Sequence, residues 1–545
     1  MNYQFKRFLS GILFTGFVII ANAQYPDIPA DVKRSADSLM NAATKHSDSA
    51  WAIAYPIIEK EAKEGKPYIP WASRADELPQ SDIPAFPGAE GGGKFSFGGR
   101  GGKVIVVTNL NDDGKGSFRW ACEQGGARVI VFNVAGIIRI KTPVIIRAPY
   151  VSIEGQTAPG DGICLAGETV WINTHDVIIR YMRFRRGETW VGRRDDAIGG
   201  DPVGNIMIDH VSASWGLDEN MSIYRHMYND STGKIEDKFG TVNITIQNSI
   251  FSEALDTWNH AFGSTLGGEN CAFIRNLWAD NAGRNPSVGW NGIFNFVNNV
   301  VFNWVNRSVD GGDYRARFNI INNYFQPGPA TPKNNVGHRI LKPESGRSKL
   351  KYHVYGRAYV HGNIMEGYPE ITKDNWNGGV QVEEGADAGE YTSEIKWPKP
   401  MPMPQLTIID ATEVKKYVLE NAGATLPKRD AVDTRIIKQV ATGKIEYIEN
   451  VKLPETQFKH RRLPIDSYKQ GIITDPTQVG GYPSYKGTPY TDSDHDGIPD
   501  EWEKKNGLNP NDSTDATKIT ATGYSNIEIY LNSVVDVKNV TPANL

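Results

Sequence analysis

Cysteine is scarce: Cys122, Cys164 and Cys271 are the only three in 545 residues. They are too few for a disulfide framework and none stands at a metal-ligand spacing from another, which sets zinc and redox chemistry aside and predicts buried thiols. An excess of one charge is missing too. Fifty-nine Lys+Arg against 63 Asp+Glu leave a formal net charge of −4, with no basic footprint to hold nucleic acid by its phosphates. Long apolar runs are absent except near the start, where Phe8 to Ile20 falls short of the about 20 residues a membrane crossing needs. That run follows Lys6 and Arg7 and precedes Ala21-Asn22-Ala23, the order of a secretory signal peptide. Residues 1–23 are therefore expected to be cleaved and the remainder to be an exported, soluble monomer; no cysteine follows the junction to carry a lipid.

What the chain does contain is patterned. Asp492-Ser-Asp494-His-Asp496-Gly497-Ile-Pro-Asp500-Glu-Trp-Glu503 puts oxygen ligands at loop positions one, three, five and nine, glycine at six and glutamate at twelve. Alternating acids around a tight glycine turn aim several carboxylates at one hard Ca²⁺, which takes about six to eight oxygens. A solvated acidic turn would not demand Gly497 and Glu503 in register, so Asp492, Asp494, Asp496, Asp500 and Glu503 are expected to bind calcium. The segment resembles the calcium repeats of thrombospondin type 3 and dockerin-like modules, with Asp512 and Asp515 as candidate extra ligands. Its expected role is structural.

Between the ends the texture changes. Residues 24–84 hold two weakly amphipathic helical stretches, Asp31 to Lys45 and Ala52 to Lys63, before a Pro-rich linker. From Gly88 to about Gly367, β-branched runs such as Val177–Phe184, Ile206–Ala213, Ile244–Phe251, Ala272–Ala279, Phe294–Val301 and Phe318–Phe325 are closed by Gly, Asn and Asp. One position recurs as Tyr181, His210, Asn248, Asn276, Asn299, Asn323 and Asn363, at steps of roughly 23 to 29 residues except where loops intervene, the period of a solenoid. Stacked coils bury the inward face of each strand and pair it with the next, and the asparagines can form a ladder. A β-sandwich would want hairpin turns every 8 to 12 residues or so, and those are missing.

The expected architecture is all-β: a right-handed parallel β-helix over residues 85–370, with a helix near Gly114 to Gln124 capping its open end. A mixed extension, 371–485, with helices near Ala411–Glu420 and Asp430–Val440, is expected to pack on the solenoid's flank, and 486–545 forms the calcium module.

A solenoid needs side chains from neighbouring coils to build a site. Three segments on successive coils offer them: Arg193-Arg194-Asp195-Asp196, Trp215-Gly-Leu-Asp218-Glu219-Asn220-Met-Ser222, and Arg284-Asn-Pro286 with His260 one coil before. Adjacent coils lie about 4.8 Å apart, so Asp196 and Asp218 can share one hard cation. Spacing alone equally allows Asp195 and Asp196 to pair with Arg193 and Arg194, and Arg284 to form a surface salt bridge.

Phe86-Pro-Gly-Ala-Glu-Gly-Gly-Gly93, Val104–Asn109, Ser117-Phe-Arg119, Ile153-Glu-Gly155, Asp176–Arg180, Asn205–His210 and Arg284-Asn-Pro286, in this order, resemble the pectate lyase family. The resemblance implies Ca²⁺ held by Asp196 and Asp218, with Glu219 as a further ligand, and Arg284 as the catalytic base. It implies a uronic-acid polymer, polygalacturonate, as substrate, cleaved by β-elimination. Ser222 stands where the family often has another acid, His260 replaces a lysine that binds the substrate carboxylate, and Gly289 replaces a second arginine. His260 and Arg194 are the expected substrate contacts, and Asp209-His210 is read as structural.

Two other readings compete. A polygalacturonase-type hydrolase would use two carboxyl groups about 6.5 to 9.5 Å apart, but the chain has no Gly-His-Gly or Asn-Thr-Asp, and Arg139-Ile-Lys141 precedes the acids. A non-catalytic glycan-binding adhesin would hold sugar on Trp215, Trp258, Trp278 and Trp290.

Overall fold

The computed structural model describes residues 28–187, 193–229, 236–257, 260–289, 292–345, 350, 353–382, 386–387, 392–454, 461, 463–537 and 542–543; the segment read as a signal peptide, Trp258 and Trp290 lie outside them. Successive strands are shared among three parallel sheets of ten, nine and eight strands, so that each sheet grows by one strand per coil. The register is regular. Ile105, Ile130, Ile153, Ile179, Ile208, Ile246, Phe273, Phe296, Ile320 and Val360 stand opposite one another across all ten strands of the first sheet, and all ten are buried in the central core. Alternation along each strand supplies this column, and stacking removes it from water.

The recurring asparagines occupy two neighbouring columns where one was expected. Tyr181, His210, Asn248, Arg275, Asn298 and Asn322 form the corner after the ten-stranded sheet, with φ of 55°, 52°, 50°, 57°, 56° and 50°, and Gly362 continues it at 69°. Left-handed backbone disfavours most side chains and favours Asn and Gly. One residue further on, Ser249, Asn276, Asn299, Asn323 and Asn363 point inward as the ladder: Asn299 Oδ1 accepts the Asn276 N–H at 2.9 Å, and Asn323 Oδ1 accepts the Asn299 N–H at 2.8 Å. Asn298-Asn299 and Asn322-Asn323 thus carry two separate demands in adjacent letters.

The outer faces are covered. Residues 88–102 lie flat on the ten-stranded sheet, so close that a Cβ on Gly92 or Gly93 would stand 1.7 Å from Asn270 O or 2.1 Å from Ile206 O. Helices Ala411–Asn421 and Ala431–Thr442 cover the nine-stranded sheet, setting Val414, Val418, Ile436 and Val440 against Ile250, Leu277, Val300 and Phe302. Arg185 of that sheet pairs with Asp430 at 2.8 Å and Asp433 at 2.9 Å. Helix Phe118–Glu123, capped by Ser117 on Trp120 N at 3.2 Å, adds Phe118, Ala121 and Cys122 to the core.

The two N-terminal stretches are one 34-residue helix, Ala30–Lys63, with Pro56 inside it. A proline removes one donor yet can be carried where neighbouring packing holds the helix, and Ala54 and Ile58 pack on Ala148 on either side of it. An antiparallel hairpin, Arg225–Asn229 with Glu236–Gly240, leaves the solenoid beside the eight-stranded sheet. There His226 is buried, with Nε2 accepting the Ala72 N–H at 3.3 Å. Among the described residues, no helix is long and apolar enough to cross a membrane.

Candidate active site

The eight-stranded sheet keeps a cleft of about 470 Å³ at the corner where its strands begin, lined by Trp171, Arg194, Asp196, Asp218, Tyr224 and Arg284 among others. Asp196 lies two residues before strand Ile198–Gly199, Asp218 immediately before Glu219–Ile223, and Arg284 three before Ser287–Val288. Register aligns them: Ile198 pairs with Met221, Glu219 with Phe262, and Phe262 bridges to Gly283. Backbone bonds fix the spacing of the acids. Asp195 O accepts the N–H groups of Leu217 and Asp218 at 2.9 and 3.0 Å, and Asp196 Oδ1 accepts the Glu219 N–H at 3.0 Å.

One oxygen from each of Asp196, Asp218 and Glu219 lies within 4.8 Å of the others. Arg284 closes the group by donating from Nη1 to Glu219 Oε1, and its guanidinium carbon lies 4.5 Å from the centre of the Phe262 ring. Its φ of 54° is left-handed, backbone strain of the kind that gathers at functional sites. Behind the cleft, three buried amides tie the acid-bearing coil to the arginine-bearing turn: Asn220 donates to Asn281 Oδ1 at 3.0 Å and Asn281 donates to Asn285 Oδ1 at 3.2 Å.

The electrostatics are those of crowded negative charge. Burial, reinforced by Glu219 and Asp218, pushes the Asp196 carboxyl well above its ordinary range. Glu219 is raised by burial and by Asp218 against the pull of Arg284. Asp218 goes the other way: burial opposes its charge, but the hydrogen bond and charge of His260, then Arg194 and Arg284, outweigh it. Burial would lower Arg284, yet Glu219 and Asp218 hold its guanidinium firmly protonated. Three carboxylates crowd together beside Arg284 and Arg194, and a donor set that is all oxygen suits a hard divalent ion.

"Probable pectate lyase C" of Aspergillus fumigatus is 35% identical over 462 residues, 83% of this chain and 94% of that protein. The chain belongs to the pectate lyase family. "Probable pectate lyase C" of Emericella nidulans is also 35% identical, over 83% of this chain and 93% of the relative, and "Pectate lyase 5" of Ambrosia artemisiifolia is 25% identical over 56% and 79%. The crystal structure of jun a 1, the major allergen from cedar pollen, matches at 17% identity and a TM-score of 0.44, over 62% of this chain and 92% of that one. No family profile matches the chain.

Within this pectate lyase family member, the structure brings Asp196, Asp218, Glu219 and Arg284 together. His260 sits differently from the expected substrate contact. Its ring is wholly buried, with Nε2 3.0 Å from Asp218 Oδ1 and Nδ1 3.2 Å from Arg194 Nη1, so it backs the acid and leaves the cleft to Arg194. Arg194 reaches Asp218 Oδ2 with Nε at 3.3 Å. Asp195 turns away from Asp196 to Arg186 and Arg193, each at 2.6 Å. Ser222, which stands where the family often has another acid, lines the cleft with Asp196, its Oγ accepting the Thr265 N–H at 3.2 Å. At Gly289 a Cβ would stand 2.6 Å from the Tyr224 ring, so Tyr224 fills the space of the missing arginine. Tyr224 and Asn281 carried no signal in the sequence, because their placement depends on the hairpin and on inter-coil register. Trp215 and Trp278, offered as sugar platforms, are fully buried with their indole N–H groups on Glu253 and Ser264. In the C-terminal loop, Asp492, Asp494 and Asp496 converge, as do Asp496, Glu503 and Asp515. Asp500 instead accepts the Ser493 N–H and Oγ–H at 2.8 Å each.

Proposed function

We propose that the chain is a secreted, calcium-assisted pectate lyase that cleaves polygalacturonate by β-elimination in this cleft. The observation that carries the reading is the convergence of Asp196, Asp218, Glu219 and Arg284, from separate coils, on one open corner. Ca²⁺ held by Asp196, Asp218 and Glu219 would supply Lewis-acid pull on the uronate carboxylate and join a polyanion to an acidic wall. Arg284 takes the proton on the carbon next to that carboxylate. The C–H and the neighbouring C–O bonds break, a C=C bond forms, and the glycosidic oxygen leaves with a proton from water, whose hydroxide takes back the proton that Arg284 accepted. Because Glu219 and Asp218 keep Arg284 protonated, turnover requires the Arg284–Glu219 pair to open and favours alkaline solution. Arg194, at the cleft wall, holds the substrate carboxylate, while His260 orients Asp218. The charged, apolar and small-residue order of residues 1–23 supports export.

The hydrolase reading loses ground because the three acids crowd within 4.8 Å, leaving no room for the water that an inverting pair about 6.5 to 9.5 Å apart would hold. The test is purified protein on polygalacturonate with Ca²⁺, read as absorbance near about 235 nm from unsaturated uronide ends. Arg284→Lys is expected to lose at least about 10³-fold in kcat with an unchanged unfolding midpoint. Reducing ends without absorbance would make the enzyme a hydrolase, and full activity of Arg284→Lys would remove the arginine from its role.

A further inference from the structure

The cleft reaches further than the reaction needs. Asp196, Asp218 and Arg284 stand where strands of the eight-stranded sheet begin, yet Asp201, Tyr224 and Arg225, beyond the ends of strands Ile198–Gly199 and Glu219–Ile223, line the same cleft. From Asp218 to Tyr224 is about 20 Å of extended chain. Two glycines seat Tyr224 there: a Cβ would stand 3.5 Å from it at Gly267 and 2.6 Å from it at Gly289, so the tyrosine lies over the ends of the next two coils. Two cations share its ring, the Arg225 guanidinium carbon at 5.0 Å and Lys238 Nζ at 5.3 Å from the centre. Such contacts steady long side chains while leaving their charge in place.

Both cations belong to the hairpin of Arg225–Asn229 and Glu236–Gly240, whose two sides do different work. Arg225 pairs with Gly240 and Met227 with Lys238, so alternation puts Arg225, Met227 and Lys238 on one side. The other side lays His226, Tyr228 and Phe239 on the N-terminal extension, where the Trp71 ring lies 5.7 Å from Tyr228 and 5.5 Å from Phe239 and the Ala72 N–H bonds His226. The hairpin is thus braced from behind, and Arg225 faces the cleft. Lys238 is exposed. Arg225 pairs with Asp201 at 3.0 Å, with 35% and 40% of the two side chains exposed, and an open pair of this kind, worth about 0–1 kcal/mol, is readily exchanged for a carboxylate of the ligand. We infer that the hairpin is a second recognition arm of the cleft: Arg225 and Lys238 bind uronate carboxylates of the same polymer, several sugars from the bond that breaks, and so demand an unesterified stretch there. The inference rests on the lyase reading of the cleft. A methyl ester carries no charge and forfeits both contacts, whereas a free carboxylate can take two parallel N–H bonds from Arg225.

Two readouts keep the arm and the chemistry apart. In the full chain carrying Arg284→Lys, with Ca²⁺ present, calorimetric titration reads polygalacturonate binding without turnover. Adding Arg225→Gln/Lys238→Gln is expected to weaken that binding at least about tenfold at low salt, and the gap to narrow at about 0.5 M NaCl, where exposed charges are screened. In the chain with Arg284 intact, the same double substitution is expected to raise the KM for polygalacturonate at least about fivefold, the loss falling on KM and not on kcat. The preference for polygalacturonate over highly methyl-esterified pectin should shrink by the same factor. Lys238→Glu, at an exposed position, should act in the same direction, while Lys416→Gln, on helix Ala411–Asn421 over the nine-stranded sheet, should match the parent. Parental affinity and KM in both Arg225→Gln/Lys238→Gln and Lys238→Glu would overturn the inference. Absence of unsaturated product from the parent would instead end the lyase reading, and the titration would still decide whether the arm binds.

Discussion

Asn299→Ala puts the asparagine ladder to a quantitative test. The Asn299 side chain makes four bonds: Oδ1 accepts from Asn276 N at 2.9 Å and Asn276 Nδ2 at 3.1 Å, and Nδ2 donates to Phe273 O at 2.8 Å and Asn323 Oδ1 at 3.1 Å. Truncation leaves the buried Asn276 N–H without its acceptor and opens a cavity in a wholly buried interior. An unsatisfied buried group costs about 1–3 kcal/mol, and the lost bonds and vacated volume add about 2 more, so the total is about 3–5 kcal/mol. With about 2.1 cal/mol/K of unfolding entropy per residue, the 286 residues of a solenoid over 85–370, unfolding as a unit, have an entropy of about 0.6 kcal/mol/K, and the midpoint should fall by about 5–8 °C. Asn299→Asp keeps the acceptors but loses the donors and brings a buried charge, so it should be no milder at pH 7. Differential scanning calorimetry reads both, and lyase turnover at 20 °C should persist. A shift below about 1 °C for both variants would mean that inter-coil backbone pairing alone carries the stack.

His226 should confer acid sensitivity: burial lowers its value to about 4 from 6.5, so as pH falls from 6.5 toward 4 the unfolded chain takes up a proton that the folded one refuses, and stability drops by up to about 3 kcal/mol. His226→Phe should flatten that slope in urea titrations run at several pH values. A role for His260 behind Asp218 predicts that His260→Leu raises the Ca²⁺ needed for half-maximal activity by about 10- to 100-fold with little change in polymer KM at saturating Ca²⁺; the reverse split would make it a substrate contact. Asn281→Ala, cutting the amide link between the acid-bearing coil and Arg284, should lower kcat about 10-fold or more, and an equal loss in Asn299→Ala would show instead that general loosening is responsible.

The coil repeat and the flanking helices were legible because each obeys one local rule at a time: alternation for the strands, an Asp cap and an apolar stripe for Ala431–Thr442. Trouble arose where two rules fall on adjacent letters. The corner and ladder columns differ by a single residue, and Asn is suited to both, so Asn248 was set in line with Asn276 although it lies opposite Arg275. At Asp500, a helix's first turn competed with a metal ligand position and won, since its carboxylate satisfies two groups of Ser493. The stretches ending at Lys45 and starting at Ala52 are one helix because polar Ser47, between them, is buried where a sequence window expects an exposed position. The acids and Arg284 drew their roles from resemblance, and spacing alone left their alternatives open. Tyr224 filling the space at Gly289 is a contact between distant segments, which no window contains.

Asp196, Glu219, Phe262 and Gly283 mark four consecutive rungs, and the consequence reaches beyond this one chain. Distances along the cleft are graduated in strand widths, as on a ruler, and no loop rearrangement can subdivide them. A duplication of one coil between Asp218 and Arg284 would slide the arginine and the acids apart by a full division, whereas exchanging a single corner would leave every other mark in place. New arrangements of side chains on such a scaffold are therefore expected to arise by jumps of one strand spacing, about 4.8 Å, with few intermediates between them.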